Sequence, residues 1–333
     1  MFRRLRRSAS PIIKASLFYT GVFSLMRRLR PSDKVAILRY HSIQDPGRNF
    51  YAVPSIVISP KEFERHVRYF TKRYNVISMD EVVDCIREGR QFPENAIVFT
   101  FDDGYADNYI AYKILKKYGA TGTFYLVVGC IGDEQPLWLA EVYQLIKFTT
   151  KGEFEVEVDG ENHRFRLTDS NRYKVMRDLM WLIKSNDLET RARVMDQLRS
   201  QLKWDEVRSK LPDLPVMLSW DQVREMVQNG MTIGGHTMSH ANLPNAKPEE
   251  AYREVQLCKQ TLERKLGIEV KHFSYPNGGC DIYFSEKTEG YIKEIGFLSA
   301  VTSEEGLVAF SDHYFSLRRV RVGKLNDVLY RIA

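Results

Sequence analysis

The run Ala96-Ile-Val-Phe-Thr-Phe101 constrains the fold more than any other segment of the chain. Six apolar or β-branched residues in succession, with no polar alternation, suit a strand covered on both faces. Asp102-Asp103-Gly104 follows, then a helical stretch over residues 107–118 closed by Gly119, then a second apolar run at 122–128. Strand, loop, helix and strand at this spacing form a βαβ unit, so a parallel sheet is predicted.

The same rhythm recurs. Residues 35–40 read as a strand, and Ser59-Pro60-Lys61-Glu62 opens a helix with Ser as N-cap, Pro at N1 and Glu at N3 completing a capping box. Ser219-Trp220-Asp221-Gln222 is a second capping box, for a helix ending at Gly230. A strand at 231–234, a helix over 248–266 capped by Gly267, and strands at 272–275, 297–302 and 315–322 follow. This many units in one α/β sheet point to a barrel rather than an open nucleotide-binding sheet, and no GxGxxG motif is present. Residues 130–215 break the rhythm with a helix at 138–148, a hairpin turning at Asp159-Gly160, and two helices reaching residue 203. The expected organisation is a basic arm (1–34), a first part of the barrel (35–129), an insertion subdomain (130–215) and a second part of the barrel (216–333).

Composition adds limits. The chain is 44% hydrophobic and 28% charged, with a formal charge of +6, which is globular rather than disordered or fibrous. The charge is unevenly placed. Residues 1–34 hold Arg3, Arg4, Arg6, Arg7, Lys14, Arg27, Arg28, Arg30 and Lys34 against Asp33 alone, so the body is slightly negative. No nucleic-acid partner is expected for such a body. The apolar residues of segment 1–30 (Ile12, Ile13, Leu17, Phe18, Val22, Phe23, Leu25, Met26) are too few for a membrane span and lack a cleavage site. They fit an amphipathic helix, either lying on an anionic membrane surface or docked on the protein. The location this implies is cytoplasmic, with the inner membrane face as one place of attachment. Cys85, Cys130, Cys258 and Cys280 lack any CxxC spacing and read as ordinary thiols.

Two elements carry chemistry. Asp102 and Asp103 are adjacent carboxylates at the carboxyl end of a buried strand, where active sites of parallel sheets collect and where uncompensated charge is costly. Alone, the triplet with Gly104 is an ordinary turn. His236-Thr-Met-Ser-His240 places two imidazoles four residues apart, on one face if the segment is a helical turn, and it also follows a short strand. One Asp and two His make three ligands with a coordination position open for water, the catalytic rather than the structural arrangement for zinc.

Thr100-Phe-Asp-Asp-Gly104 and His236-Thr-Met-Ser-His240 resemble the first two motifs of the polysaccharide deacetylase (NodB homology) family, carbohydrate esterase family 4. The likeness extends over residues 35–325, with 130–215 the least similar part. The resemblance implies a distorted (β/α)7 barrel and metal-dependent removal of N-acetyl groups from amino sugars. In it Asp102 is the general base, and Asp103, His236 and His240 hold a divalent cation, zinc being the one expected. His272-Phe-Ser-Tyr-Pro-Asn-Gly278 is similar to the third motif, but Ser274 stands where the family has an Arg that orients the base. Arg39 and Arg319 are the candidates to replace it. The backbone N–H of Asn277 remains suited to an oxyanion, and Tyr105 is a candidate on the substrate side. Leu38-Arg-Tyr-His41 resembles the N-terminal Tyr-His of exopolysaccharide-type members, which assigns His41 to protonation of the leaving amine. His66, His163 and His313 read as surface or structural, and Trp138 and Trp220 as core. Two further readings stay open: a deacylase or deformylase of a lipid-linked sugar at the cytoplasmic membrane face, and a non-catalytic carbohydrate-binding relative.

Overall fold

The computed structural model of the protein describes residues 16–17, 20–29, 31–133, 135–277 and 282–332. Most of the basic arm, and Cys280, lie outside these residues. Within the described part of the arm, Val22–Leu29 is helical, with Phe23 buried and Leu25 and Leu29 exposed. No helix among the described residues is long and apolar enough to cross a membrane.

Seven parallel strands close a barrel: β1 (Ala36–Tyr40), β2 (Ala96–Phe101), β3 (Thr123–Leu126), β4 (Thr232–Gly235), β5 (His272–Ser274), β6 (Ser299–Glu305) and β7 (Leu317–Arg321). The ring runs in chain order and is sealed where β1 pairs with both β2 and β7. The (β/α)7 expectation is therefore met. A two-residue strand, Asn75–Val76, lies along the first residues of β2, whose pairing with β3 begins only at Thr100. Two residues are too short a run for a periodicity signal, and the sequence reading missed it.

Side-chain alternation sorts each strand into two layers. Ile37, Val98, Tyr125, Val301 and Leu317 pack together in one cluster, with Met79, Val82 and Cys85 of the helix Met79–Glu88. Leu38, Tyr40, Phe99, Phe101 and Phe124 belong to a larger cluster shared with the surrounding helices, including Pro60–Arg73 and Pro248–Leu266. Each fully buried Phe contributes on the order of 2 kcal/mol through apolar burial. Gly234 is required by the barrel itself, since a Cβ there would lie 2.4 Å from the Tyr125 ring and 2.7 Å from the His272 carbonyl oxygen.

Between β3 and β4 the chain leaves the barrel. The helix Trp138–Phe148, the hairpin Glu153–Val158 with Glu161–Arg166, and the helices Arg172–Lys184 and Leu188–Gln201 surround a core of their own. Val142, Leu145, Ile146, Val156, Leu179 and Leu198 are its most buried members.

The capping box at Ser219 forms in full. The one at Ser59 forms only in half. Its hydroxyl accepts from the Glu62 amide, but the Glu62 carboxylate accepts instead from the Leu325 amide and approaches Nε2 of His66 at 3.4 Å. His66 is fully buried and bonded to the Tyr40 hydroxyl, so it is structural and not a surface residue.

Candidate active site

The residues of one parity continue past the apolar floor of the barrel as polar groups. Arg39 and His41 follow Ile37, Thr100 and Asp102 follow Val98, and Arg319 and Arg321 follow Leu317. Arg39, His41, Asp102 and Arg321 line a cleft of about 430 Å³, together with Asp103, His236, His240, Asn277 and Tyr105.

Asp102 extends the β2 ladder by donating its amide to the Tyr40 carbonyl. The next two residues enter the left-handed region, Asp103 at φ 78° and Gly104 at φ 82°. This turn sends the two carboxylates of the pair to different partners. Asp102 faces Arg319, whose Nη1 and Nη2 donate to its two oxygens at 2.7 Å each. Arg319 is also held by the Thr302 carbonyl and by the hydroxyls of Ser274 and Thr100. Burial alone would raise the Asp102 pKa, but the guanidinium holds it well below the usual carboxylate range. Of the two arginines considered for this contact, Arg39 makes no hydrogen bond to Asp102. Arg319 reaches Asp102 from β7, two strands along from β5, where Ser274 touches the same guanidinium.

Asp103 faces the imidazoles. Nε2 of His236 and Nε2 of His240 each lie 3.5 Å from its Oδ1. The Nδ1 of His236 is 2.6 Å from the Ser274 carbonyl, which can only accept. The proton is therefore assigned to Nδ1, leaving the Nε2 lone pair toward Asp103. Asp103 Oδ1 is buried without a hydrogen-bond partner among the described residues. Burial opposes its charge, and the neighbouring imidazoles nevertheless hold its pKa at about 2. His240 is pushed down to about 3 by burial, so its ring is uncharged at neutral pH.

These three atoms fit a cation. Ligand atoms about 2.0–2.2 Å from a tetrahedral zinc stand roughly 3.3–3.6 Å apart, and the two Nε2–Oδ1 separations fall in that range. An orphaned carboxylate oxygen facing the Nε2 atoms of two imidazoles is the donor set that a divalent metal satisfies, and these are the one such Asp/His group among the described residues.

The segment carrying His236 and His240 is a turn and not the helical turn anticipated. Thr237 (φ 66°) and His240 (φ 55°) are left-handed. The turn is held from outside. Glu254 accepts from the amides of Met238 and Ser239 and from the Ser239 hydroxyl, while Arg191 of the insertion donates to the Ser239 carbonyl and hydroxyl. On its other side, Gly129 donates its amide to the Met238 carbonyl, at a distance that leaves no room for a Cβ (2.7 Å to that oxygen).

His41 directly follows β1, with Nε2 3.8 Å from Asp102 Oδ2, and its carbonyl accepts from Asn108. Burial pushes its pKa down to about 4, so the ring is neutral near pH 7. Asn277 sits on the cleft wall in the left-handed region (φ 67°), its carbonyl accepting from the Ser303 hydroxyl. Tyr105 also borders the cleft, stacked on Tyr51 with centroids 5.3 Å apart, but is only 1% exposed. Trp138 is buried edge-on to His240, and Trp220 lies in the barrel-side core.

One wall of the cleft escaped the sequence reading. The helix Arg172–Lys184 of the insertion presents Tyr173, Met176, Arg177, Met180, Trp181 and Lys184 to it, spaced at three and four residues. The signal available was Trp181 and Tyr173, large aromatics that are 56% and 47% exposed.

Residues 89–299 match the polysaccharide deacetylase family. YxkH of Bacillus subtilis (strain 168), named for that family, is 23% identical over 291 residues, covering 87% of this chain and 71% of its own. The deacetylase PplD of Streptococcus pyogenes, solved in complex with acetate, superposes with a TM-score of 0.58 at 20% identity, over 91% of this chain and all of that one. IcaB from Ammonifex degensii superposes with a TM-score of 0.55 at 17% identity, over 91% of this chain and 98% of that one. At such identities the structural likeness speaks for the fold.

Proposed function

This chain belongs to the polysaccharide deacetylase family, hydrolases of carbon–nitrogen bonds, and we propose from that premise that it is a metal-dependent N-deacetylase of amino sugars in a polysaccharide. The observation that supports the reading most is the approach of His236 and His240 to one oxygen of Asp103, beside the Asp102–His41 pair and open to the cleft. His41 at the end of the first barrel strand supports assignment to the exopolysaccharide type.

In this reading Asp103, His236 and His240 hold the ion, with zinc the best match to two imidazoles and a carboxylate. A divalent cation so held supplies Lewis-acid polarisation of an acyl carbonyl and acidification of a water molecule. Asp102, kept anionic and fixed in position by Arg319, takes a proton from the attacking water as its oxygen bonds to the acetyl carbon. The depressed proton affinity of Asp102 keeps that proton from resting there, and His41 at 3.8 Å is the group that carries it onward. His41 delivers it to the nitrogen, the C–N bond breaks, and acetate and a free amine result. The backbone N–H at Asn277 is assigned to the oxygen that becomes negative during attack. Tyr105 shapes the site through its stack on Tyr51.

The test is acetate release from N-acetylglucosamine oligomers by the purified protein, before chelation, after it, and after zinc is restored. Release that disappears and returns supports the reading. A metal-loaded protein that frees no acetate from any N-acetylated glycan would be a binding relative instead.

A further inference from the structure

The cleft is more cationic than deacetylation of a neutral sugar requires. Its lining holds four cationic side chains, Arg39, Arg177, Lys184 and Arg321, and two acids, Asp102 and Asp103, both already engaged in the site. Arg39 and Arg321 are register partners on the adjacent strands β1 and β7. Like charges placed opposite one another on neighbouring strands are destabilising, and among the described residues no carboxylate forms an ion pair with either guanidinium, Asp102 and Glu305 acting on Arg39 only from a distance. The Arg39 side chain makes no hydrogen bond among the described residues, and its Nε is buried without a partner. The nearby carboxylates are committed elsewhere, Asp102 to Arg319 and Glu305 to Arg331. The Arg321 guanidinium donates to the Ser55 carbonyl, while its backbone amide donates to Glu305 Oε2. On the insertion side, Lys184 forms no ion pair among the described residues, and burial lowers its pKa to about 8, which leaves it charged at neutral pH. Arg177 makes only an exposed contact with the adjacent Asp178.

A half-buried guanidinium beside a second one, with no acceptor, matches the planar bidentate recognition of a carboxylate or phosphate. Exposed Trp181 and Tyr173 on the same wall offer faces for sugar rings. Resting on the deacetylase reading for the reaction itself, we propose that Arg39 and Arg321, with Lys184 and Arg177 of the insertion, form a subsite for an anionic substituent, so that the substrate is an N-acetylated glycan carrying a carboxylate or phosphate close to the scissile amide.

Three substrates separate the cases: a neutral N-acetylglucosamine oligomer, an oligomer alternating glucuronate with N-acetylglucosamine, and N-acetylglucosamine 1-phosphate. We expect kcat/KM for at least one charged substrate to exceed that for the neutral oligomer by about tenfold or more, a difference of about 1.4 kcal/mol. Which of the two is favoured identifies the anion. In an Arg39→Gln, Arg321→Gln double variant the charged-to-neutral ratio should fall about tenfold. Lys184→Gln, on the insertion wall and away from the barrel strands, provides the same readout should the double variant not fold. Equal use of neutral and charged substrates by the wild-type protein, or a charge preference untouched by all of these substitutions, would overturn the proposal. Binding decides independently of turnover. Calorimetric titration of the metal-loaded protein with oligogalacturonate and with maltooligosaccharide, neither bearing an N-acetyl group, should show salt-sensitive uptake of the charged ligand alone. That result stands even if no substrate is deacetylated, and its absence counts against the subsite and not against the reaction.

Discussion

Arg319, on the last strand of the barrel, holds both carboxylate oxygens of Asp102, at the end of the second, through two 2.7 Å hydrogen bonds. The strands β7 and β2 are not neighbours in the ring, since β1 lies between them, so this pair spans the mouth of the barrel and fixes the orientation of Asp102. Removing one partner of a buried pair strands the other charge, typically at about 3–5 kcal/mol. Arg319→Ala should therefore lower unfolding free energy by that order in urea denaturation. Arg319→Lys should keep part of the stability but lose the two-point grip, with kcat falling more than KM rises.

His41 is expected to act in proton delivery and not in metal binding. His41→Gln should reduce kcat by about 10²–10⁴-fold, while metal content measured by elemental analysis stays at the wild-type level. A His41→Gln protein that also loses its metal would reassign the residue.

Gly129 is expected to govern the metal site without touching the metal. A Cβ at this position would lie 2.7 Å from the Met238 carbonyl oxygen, so Gly129→Ala should displace the turn between His236 and His240. Competition against a chromophoric chelator should show zinc affinity weakened by about 10–100-fold, the range typical of changes behind the ligands.

Acid stability should report Glu62. Its contact with His66 and the Leu325 amide hold its carboxyl at about 2, against an ordinary 4.5. A depressed carboxylate binds fewer protons in the folded than in the unfolded state, so its contribution is complete above about pH 4.5 and is lost as pH falls toward 2. Buried His66, kept uncharged by desolvation, tilts stability in the same direction. Unfolding free energy followed from pH 6 to pH 2 should fall less steeply in Glu62→Gln than in wild type.

What the sequence made legible follows from how local each cause is. The β2 run is apolar throughout and the Asp-Asp-Gly turn follows it directly, so strand, site and parallel sheet could be read together. Arg319 could be listed but not chosen over Arg39, because the choice rests on strand positions in a closed ring. The shape of the 236–240 turn was hidden, since it depends on Glu254 and on Arg191 from the insertion. Likewise Glu62 left its capping box for an amide 263 residues away. The helix Arg172–Lys184 places Val175, Leu179 and Ile183 in the insertion core, together with Met176 and Met180, which also border the cleft. Periodicity finds such a helix without telling which face meets a substrate.

The most direct measurement is a zinc titration of the metal-free protein, with bound metal and acetate release from an N-acetylated glycan followed in the same samples. Activity should rise in proportion to bound zinc and saturate at one equivalent, and His236→Ala and His240→Ala proteins should show neither the binding nor the activity. Acetate release that persists in fully metal-free protein, or that is unaffected by loss of either imidazole, would contradict the account.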